Sequence, residues 1–322
     1  LKLFFAVGFS LVAPICCKSM EQVSIRYLSP AVKGQGRASY TAETRKRVTE
    51  VHSVTLHDGR TQLPLSASRQ LEKHGLALAN FKSSVHDDLD KIENPPVYRS
   101  DRAPESPLSA KTREAYFREC ESLVQSLTGA HVALAISHAV RNGAGNKMST
   151  GVEYLTAYAT FAHTDFTDEI LPDAWKMLVK RGVPEEKAKR MRVAFFNVWQ
   201  PTRVPVEEHP LAMLDWTSVD AADVVKVTLG YNVTPKGNAN VSPPIGQIAY
   251  NPDHKWYFFP NMQTDEALVF TQVDSREGYP THSFHTAVKH QVKPYPIPRQ
   301  SVEVRVICGF LEAEDCRLRS SL

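Results

Sequence analysis

Residues 161–168 read F-A-H-T-D-F-T-D, an apolar and β-branched run that sets a histidine and a carboxylate two residues apart. Such composition favours a β-strand, and side chains alternate across a strand, so His163 and Asp165 point to one side. One imidazole nitrogen and one carboxylate oxygen then meet at the same point. That is two thirds of the 2-His-1-carboxylate set that holds non-heme Fe(II), and a third ligand must come from farther along. The other H-x-D of the chain, starting at His86, lies in the acidic run H-D-D-L-D-K-I-E-N-P-P. On a helix or loop, residues i and i+2 face apart, and that copy reads as a solvated surface.

Around this stretch the chain is rich in short apolar runs broken by Pro, Gly and Asn, which predicts a β-rich domain with helical additions. A strand is expected over V-S-I-R-Y-L (23–28), and a hairpin over 48–65 about Asp58-Gly59. A short helix capped by Ser68 should end near Gly75, and a surface connector should run over 82–108. From Ser109, the residues Tyr116, Cys120, Leu123, Val124 and Leu127 recur at helical spacing, and Gly129 ends that helix. Strands are expected over 132–140 and 192–200, with a two-piece helix between them at 172–191. Residues 228–244 read as a surface loop, and short strands follow at 255–260, 266–271 and 281–288. Strands recurring this way after an early helix suit a mainly β chain with flanking helices: a distorted double-stranded β-helix, the cupin-like jelly roll.

The chain has 322 residues, 42% of them hydrophobic, which is enough to bury a sizeable core. Its formal charge of +3 is scattered, with no basic stripe interleaved with aromatics, so no nucleic-acid partner is expected. The five cysteines show neither a disulfide framework nor zinc spacing. Cys120 and Cys308 lie in apolar patterns and read as buried hydrophobes. Residues 1–17 have the length of a signal-peptide core and are too short to span a membrane with confidence. Met20 offers a start of its own, and residues 1–19 are expected to be a leader or mis-assigned start of a cytoplasmic protein.

Candidates for the third ligand are His209, His254, His282, His285 and His290. His209 and His290 read as surface residues, and His254 heads the aromatic run H-K-W-Y-F-F-P. His282 and His285 share a strand on opposite sides, so at most one of them faces a metal. After a Pro-rich link comes R-Q-S-V-E-V-R-V, in which Arg299, Ser301, Glu303 and Arg305 alternate with valines. A face this polar inside a barrel is costly unless it binds something or forms an internal ion-pair ladder. An Arg-x-Ser pair would suit a small dicarboxylate such as 2-oxoglutarate, held by a bidentate guanidinium and one hydroxyl. Taking His285 as the ligand gives H-x-D, a distant His and Arg-x-Ser in a consistent order.

The blocks F-A-H-T-D-F-T, F-F-N-V-W-Q-P, H-K-W-Y-F-F-P-N-M-Q-T-D-E-A-L-V-F-T-Q-V-D-S, H-S-F-H-T-A and R-Q-S-V-E-V-R together resemble successive signatures of the CmcJ/NvfI-like oxygenase family. Its relatives include the cephem-methoxylase component, fungal gibberellin desaturase and AsaB-type hydroxylase/desaturases, and the resemblance spans roughly residues 97–310. It implies an Fe(II)- and 2-oxoglutarate-dependent dioxygenase on a jelly-roll core, using O2 to hydroxylate or desaturate a secondary metabolite. Carried over position by position, it implies iron ligands His163, Asp165 and His285. It also implies a cosubstrate grip at Arg299 with Ser301, with Arg305 as competitor. Asn197, Trp199, His254, Trp256 and Tyr257 would line or support the pocket. Gln200 stands where many relatives carry a basic residue, so an anion contact there would be missing or moved to Arg203. Expected organisation is an N-terminal extension (20–96) packed on the core, the oxygenase core (97–315) and a tail (316–322). The expected partner is a small, largely apolar natural product, with no membrane contact, and a homodimer is compatible with the sequence. The rival readings are a metal-dependent cupin-like enzyme without 2-oxoglutarate and a non-catalytic jelly-roll binding protein.

Overall fold

Pairing between distant strands, rather than local hairpins, organises the molecule. The computed structural model describes residues 20–33, 37–41, 45–95, 103–143, 158–233, 239–241 and 244–311. The expected leader and tail, with Cys16, Cys17 and Cys316, lie outside the described residues. In chain order the strands are β1 (Met20–Leu28), β2 (Arg37–Thr41), β3 (Thr49–Asp58), β4 (Leu76–Asn80), β5 (Val132–Asn142), β6 (His163–Thr164), β7 (Arg192–Pro201) and β8 (Leu211–Leu214). They continue as β9 (Val224–Val233), β10 (Ala239–Val241), β11 (Ile245–Ile248), β12 (Trp256–Phe258), β13 (Glu266–Asp274), β14 (His285–Ala287) and β15 (Gln300–Phe310). The main helices are α1 (Ala67–His74), α2 (Pro107–Thr128), α3 (Leu171–Lys180) and α4 (Glu185–Lys189).

The larger sheet runs β1-β3-β12-β8-β14-β6-β11-β9-β10 with β2 beside β9, and the smaller runs β4-β13-β7-β15-β5. The first four strands are therefore divided between the sheets, β1, β2 and β3 in the larger and β4 in the smaller. The larger sheet curls until Leu28 bridges Ala249 and the Ala162 amide donates to the Arg26 carbonyl at 2.9 Å. One of its faces wraps around Ile25, Tyr27, Leu56, Leu214, Trp256, Phe258 and Phe284. The smaller sheet presents Phe196, Val198, Val302, Val304 and Val306 to Tyr116, Cys120 and Val124 of α2. Alternation then turns Asn197, Trp199, Glu303 and Arg305 to its other face, in the pairs Asn197–Arg305 and Trp199–Glu303. A curled sheet facing a smaller one is the expected jelly-roll arrangement. No described helix is long and apolar enough to cross a membrane.

Helix α2 starts two residues before the expected position because the Ser106 hydroxyl accepts from the Ser109 amide and Pro107 occupies the first turn. Two local expectations fail. No hairpin forms at Asp58-Gly59: the Asp58 carboxylate accepts from the Arg60 amide and starts a helical turn, and β3 pairs with β1 and β12. Capping has displaced the turn, with Gly59 lying so close under Phe259 that a Cβ would come within 2.7 Å of the ring. Residues 228–244 are not one loop, since β9 continues to Val233 and pairs with β10.

Gly75 ends α1 with φ +74, and a Cβ there would meet Ser283 Oγ at 2.7 Å and Pro280 Cβ at 3.0 Å. Gly129 ends α2 with φ +72 and has nothing within 4 Å of such a Cβ. Gly129→Ala should therefore cost only the left-handed conformation, about 1–2 kcal/mol. Gly75→Ala should cost roughly 1–3 kcal/mol more through overpacking. Thermal unfolding of the two variants side by side measures the difference.

Candidate metal centre

Strand β14 lies beside β6 with His285 opposite His163, so their side chains emerge on one face, and Asp165 follows just after β6. Ligand atoms of His163, Asp165 and His285 all lie within 4.8 Å of one another. His163 Nδ1 donates to the Phe161 carbonyl at 2.9 Å and His285 Nδ1 to the Ser283 carbonyl at 3.1 Å. With those tautomers each Nε2 keeps its lone pair for a ligand role. Asp165 Oδ2 accepts from Asn197 Nδ2 at 2.6 Å and from Arg305 Nε at 2.8 Å. Asp165 Oδ1 sits 3.9 Å from His163 Nε2. Gln272 Oε1 in turn accepts from the Asp165 amide at 2.7 Å, fixing the backbone that carries the carboxylate.

The electrostatics keep these donors deprotonated. Burial pushes His163 down and, together with the neighbouring His163, brings His285 down to about 3. Burial alone would raise Asp165, but the Arg305 guanidinium and the two imidazoles hold it well below the usual carboxylate range. Glu303, buried beside it and facing the Asp165 charge, is pushed up to about 8. Two imidazole nitrogens and one carboxylate oxygen brought this close together fit a divalent iron ion.

Arg299 stands at the head of β15 and is 3% exposed. Its guanidinium lies 4.5 Å from the Tyr158 ring centroid and 5.1 Å from that of Trp199. Arg299 Nη1 donates to Ser301 Oγ at 3.2 Å, whereas Nε has no hydrogen-bond partner among the described residues. No carboxylate pairs with it there. Burial lowers it to about 10. The other expected site residues divide. Arg305 and Asn197 stand behind the Asp165 carboxylate instead of at an anion or substrate subsite, so the ion-pair ladder and the Arg-x-Ser pair occupy two halves of one strand. Tyr257 pairs with Met213, which pairs with His285, and packs with Trp199 and Phe270.

His254 and Trp256 are corrections. Trp256 Nε1 donates to the Tyr27 hydroxyl at 2.5 Å within the core of the larger sheet's other face. The His254 ring stacks on Tyr27 with centroids 5.7 Å apart, near Asp223. Alternation through W-Y-F sends only Tyr257 towards the centre. His282 has φ +54 and stacks on Phe284, leaving His285 as the histidine of the cluster. Gln200 faces α2, accepting from the Tyr116 hydroxyl and donating to the Phe81 and Thr264 carbonyls, and Arg203 is exposed. Sequence reasoning missed Tyr158 and Gln272 as contributors and placed Glu303 only in the ion-pair ladder, where it lies 3.8 Å from Arg305. Alternation flagged Glu303, but nothing in the sequence marked the other two.

Burial lowers His254 to about 4, below its ordinary 6.5. A folded state that resists protonation binds fewer protons than the unfolded chain, so this part of the stability is whole above about pH 6.5 and is lost as pH falls towards 4. His254→Phe, which keeps the stack on Tyr27, should remove on the order of 2–3 kcal/mol of that acid sensitivity. Urea midpoints of both proteins at pH 7.5 and 5 provide the comparison.

The sequence over residues 25–309 matches the family model described as "Oxidoreductase/YMDC permease-like domain". The chain belongs to this family. Among its curated relatives, the hydroxylase/desaturase efuI of Hormonema carpetanum is 26% identical over 216 residues, covering 63% of this chain and 72% of the relative. The Fe(II)/2-oxoglutarate-dependent dioxygenase nvfI of Aspergillus novofumigatus is 27% identical over 260 residues, covering 80% and 82%. The Aspirochlorine biosynthesis protein N of Aspergillus oryzae is 33% identical over 140 residues, covering 42% of this chain and 57% of that protein. A solved structure of the iron and alpha-ketoglutarate-dependent endoperoxidase NvfI superposes with a TM-score of 0.68 at 22% identity, over 92% of this chain and 100% of that one. That likeness shows the fold. The oxidoreductase family is thus the one suggested by the five sequence blocks.

Proposed function

We propose that this oxidoreductase is an Fe(II)- and 2-oxoglutarate-dependent oxygenase that hydroxylates or desaturates a small, largely apolar natural product. The observation that carries the reading is a His-Asp-His cluster on one sheet facing a strand that bears a buried guanidinium without a carboxylate partner among the described residues. His163, Asp165 and His285 hold the metal. Arg299, with Ser301, receives the distal carboxylate of the cosubstrate, which needs a pair of parallel N–H donors. Bound there, Fe(II) with 2-oxoglutarate as electron donor supplies the means of using O2 to oxidise an unactivated C–H bond. Asn197 and Arg305 occupy one oxygen of Asp165 and so present the other. Ring contacts of Phe161 with His163, at 4.8 Å, and of Phe270 with His285, at 4.9 Å, keep the surroundings apolar, which excludes water and suits an apolar substrate.

The test is anaerobic addition of Fe(II) and then 2-oxoglutarate to the metal-free protein. A new visible absorbance requiring both additions is expected, together with release of about one succinate per product under O2. Metal binding with no response to 2-oxoglutarate would point to a cupin-like enzyme of another kind. No metal binding at all would point to a binding protein.

A further inference from the structure

Burying a guanidinium without a carboxylate counterion is unfavourable, and none pairs with Arg299 among the described residues, so some other feature must hold it in place. Four observations converge on Tyr158. Its ring faces the guanidinium at 4.5 Å, with the Trp199 ring at 5.1 Å also facing it. The Tyr158 hydroxyl lies 2.9 Å from Glu208 Oε1 and 3.1 Å from the Arg299 carbonyl, within reach of both acceptors. The same carbonyl accepts from the Gly143 amide at 2.9 Å, and a Cβ on Gly143 would strike the Tyr158 hydroxyl. Finally, His209 packs its ring 4.7 Å from the Tyr158 ring from a left-handed backbone, φ +46, that a histidine rarely adopts. Backbone pairing holds that turn: His209 donates to the His290 carbonyl at 2.9 Å, and Glu208 bridges Gln291.

We propose that Tyr158 is a positioning residue for the cosubstrate anchor: with Trp199 it clamps the Arg299 guanidinium between aromatic faces in place of a carboxylate counterion, and its hydroxyl, tied to Glu208 and the Arg299 carbonyl, fixes the clamp. The proposal rests on the reading of Arg299 as the group that receives the distal carboxylate of 2-oxoglutarate. An aromatic face attracts the cation through the ring quadrupole but takes none of its N–H donors, so the fork stays available to an incoming carboxylate. An internal Asp or Glu in the same place would compete with the ligand for those donors. Gly143 belongs to the arrangement because any larger residue displaces the hydroxyl.

The discriminating experiment compares two ligands with the same chelating end. 2-Oxoglutarate has a distal carboxylate and 2-oxobutyrate has none, and both are titrated calorimetrically into the Mn(II)-loaded protein under anaerobic conditions. Tyr158→Leu should weaken 2-oxoglutarate about tenfold and leave 2-oxobutyrate within about twofold. Tyr158→Phe, which keeps the ring and loses the tie, should fall between Tyr158→Leu and the parent. Gly143→Ala should behave like Tyr158→Leu with the tyrosine still present, which separates displacement of the ring from a folding defect. Equal loss of both ligands in Tyr158→Leu, or 2-oxoglutarate binding unchanged there while Arg299→Ala abolishes it, overturns the clamp and leaves the anchor reading standing. If Arg299→Ala itself leaves 2-oxoglutarate binding unchanged, the anchor reading fails first and takes the clamp with it.

Discussion

Replacing Arg305 by leucine should lower the apparent affinity for Fe(II) or Mn(II) by about 10- to 100-fold, the range typical when a group that orients a metal ligand is removed. Arg305 Nε reaches the Asp165 oxygen that does not face the imidazoles, at 2.8 Å, and Asn197 donates to that same oxygen at 2.6 Å. Together they fix which oxygen is presented. The Arg305 charge also opposes two carboxyl groups at once, since its Nη2 lies 3.8 Å from Glu303 Oε1. Without it, Asp165 and Glu303 face each other in a buried space, both accepting from the Asn197 amide. Two carboxylates so placed cannot both ionise, and they share a proton. Metal binding by Arg305→Leu should then weaken more steeply as pH falls from 8 to 6 than that of the parent, whose Asp165 remains ionised far below that range. Asn197→Ala removes a neutral donor and should have the smaller effect. Titration of each folded variant with Mn(II) at both pH values provides the measurement. Affinity within twofold of the parent in Arg305→Leu would mean that the guanidinium does not orient Asp165.

The features legible in the sequence are those whose geometry is fixed by neighbours along the chain. His163 and Asp165 are two residues apart, and the polar alternation of Arg299, Ser301, Glu303 and Arg305 can be read from one strand. What each polar residue touches depends on strands far away. Arg305 meets Asp165 across 140 residues because β15 lies beside β7 in one sheet while β6 lies in the other. No local pattern carries that pairing, so a dicarboxylate grip and an ion-pair ladder looked like alternatives when the strand contains both. The aromatic run from His254 misled for the converse reason. Its residues attract attention as a group, yet alternation puts Trp256 in the core behind the sheet and only Tyr257 in line with His285. Asp58-Gly59 has the composition of a tight turn and also that of a helix cap, and the long-range pairing of β3 with β1 and β12 decided between them. Tyr158 could not be found from its surroundings in sequence, because its partners Glu208 and Arg299 lie 50 and 141 residues away.

Arg299→Ala should weaken 2-oxoglutarate binding by about two to four orders of magnitude, because it leaves one carboxylate of the ligand buried and unpaired at a cost of roughly 3–5 kcal/mol. The same substitution should leave 2-oxobutyrate nearly unaffected, since that ligand has no second carboxylate to lose. The protein itself should tolerate the change well. Arg299 has no carboxylate partner among the described residues, its Nε is unsatisfied, and burial already depresses it to about 10. Removing a buried cation that has no carboxylate partner among the described residues relieves a desolvation cost, which partly offsets the loss of its ring contacts and the cavity left between Tyr158 and Trp199. Little change in thermal stability together with a large loss of 2-oxoglutarate affinity is the signature of a residue retained for its ligand. Arg299→Lys restores the charge without the planar fork that two carboxylate oxygens require. It should recover only part of the affinity, and full recovery would mean that net charge, rather than the paired N–H geometry held between two rings, selects the cosubstrate.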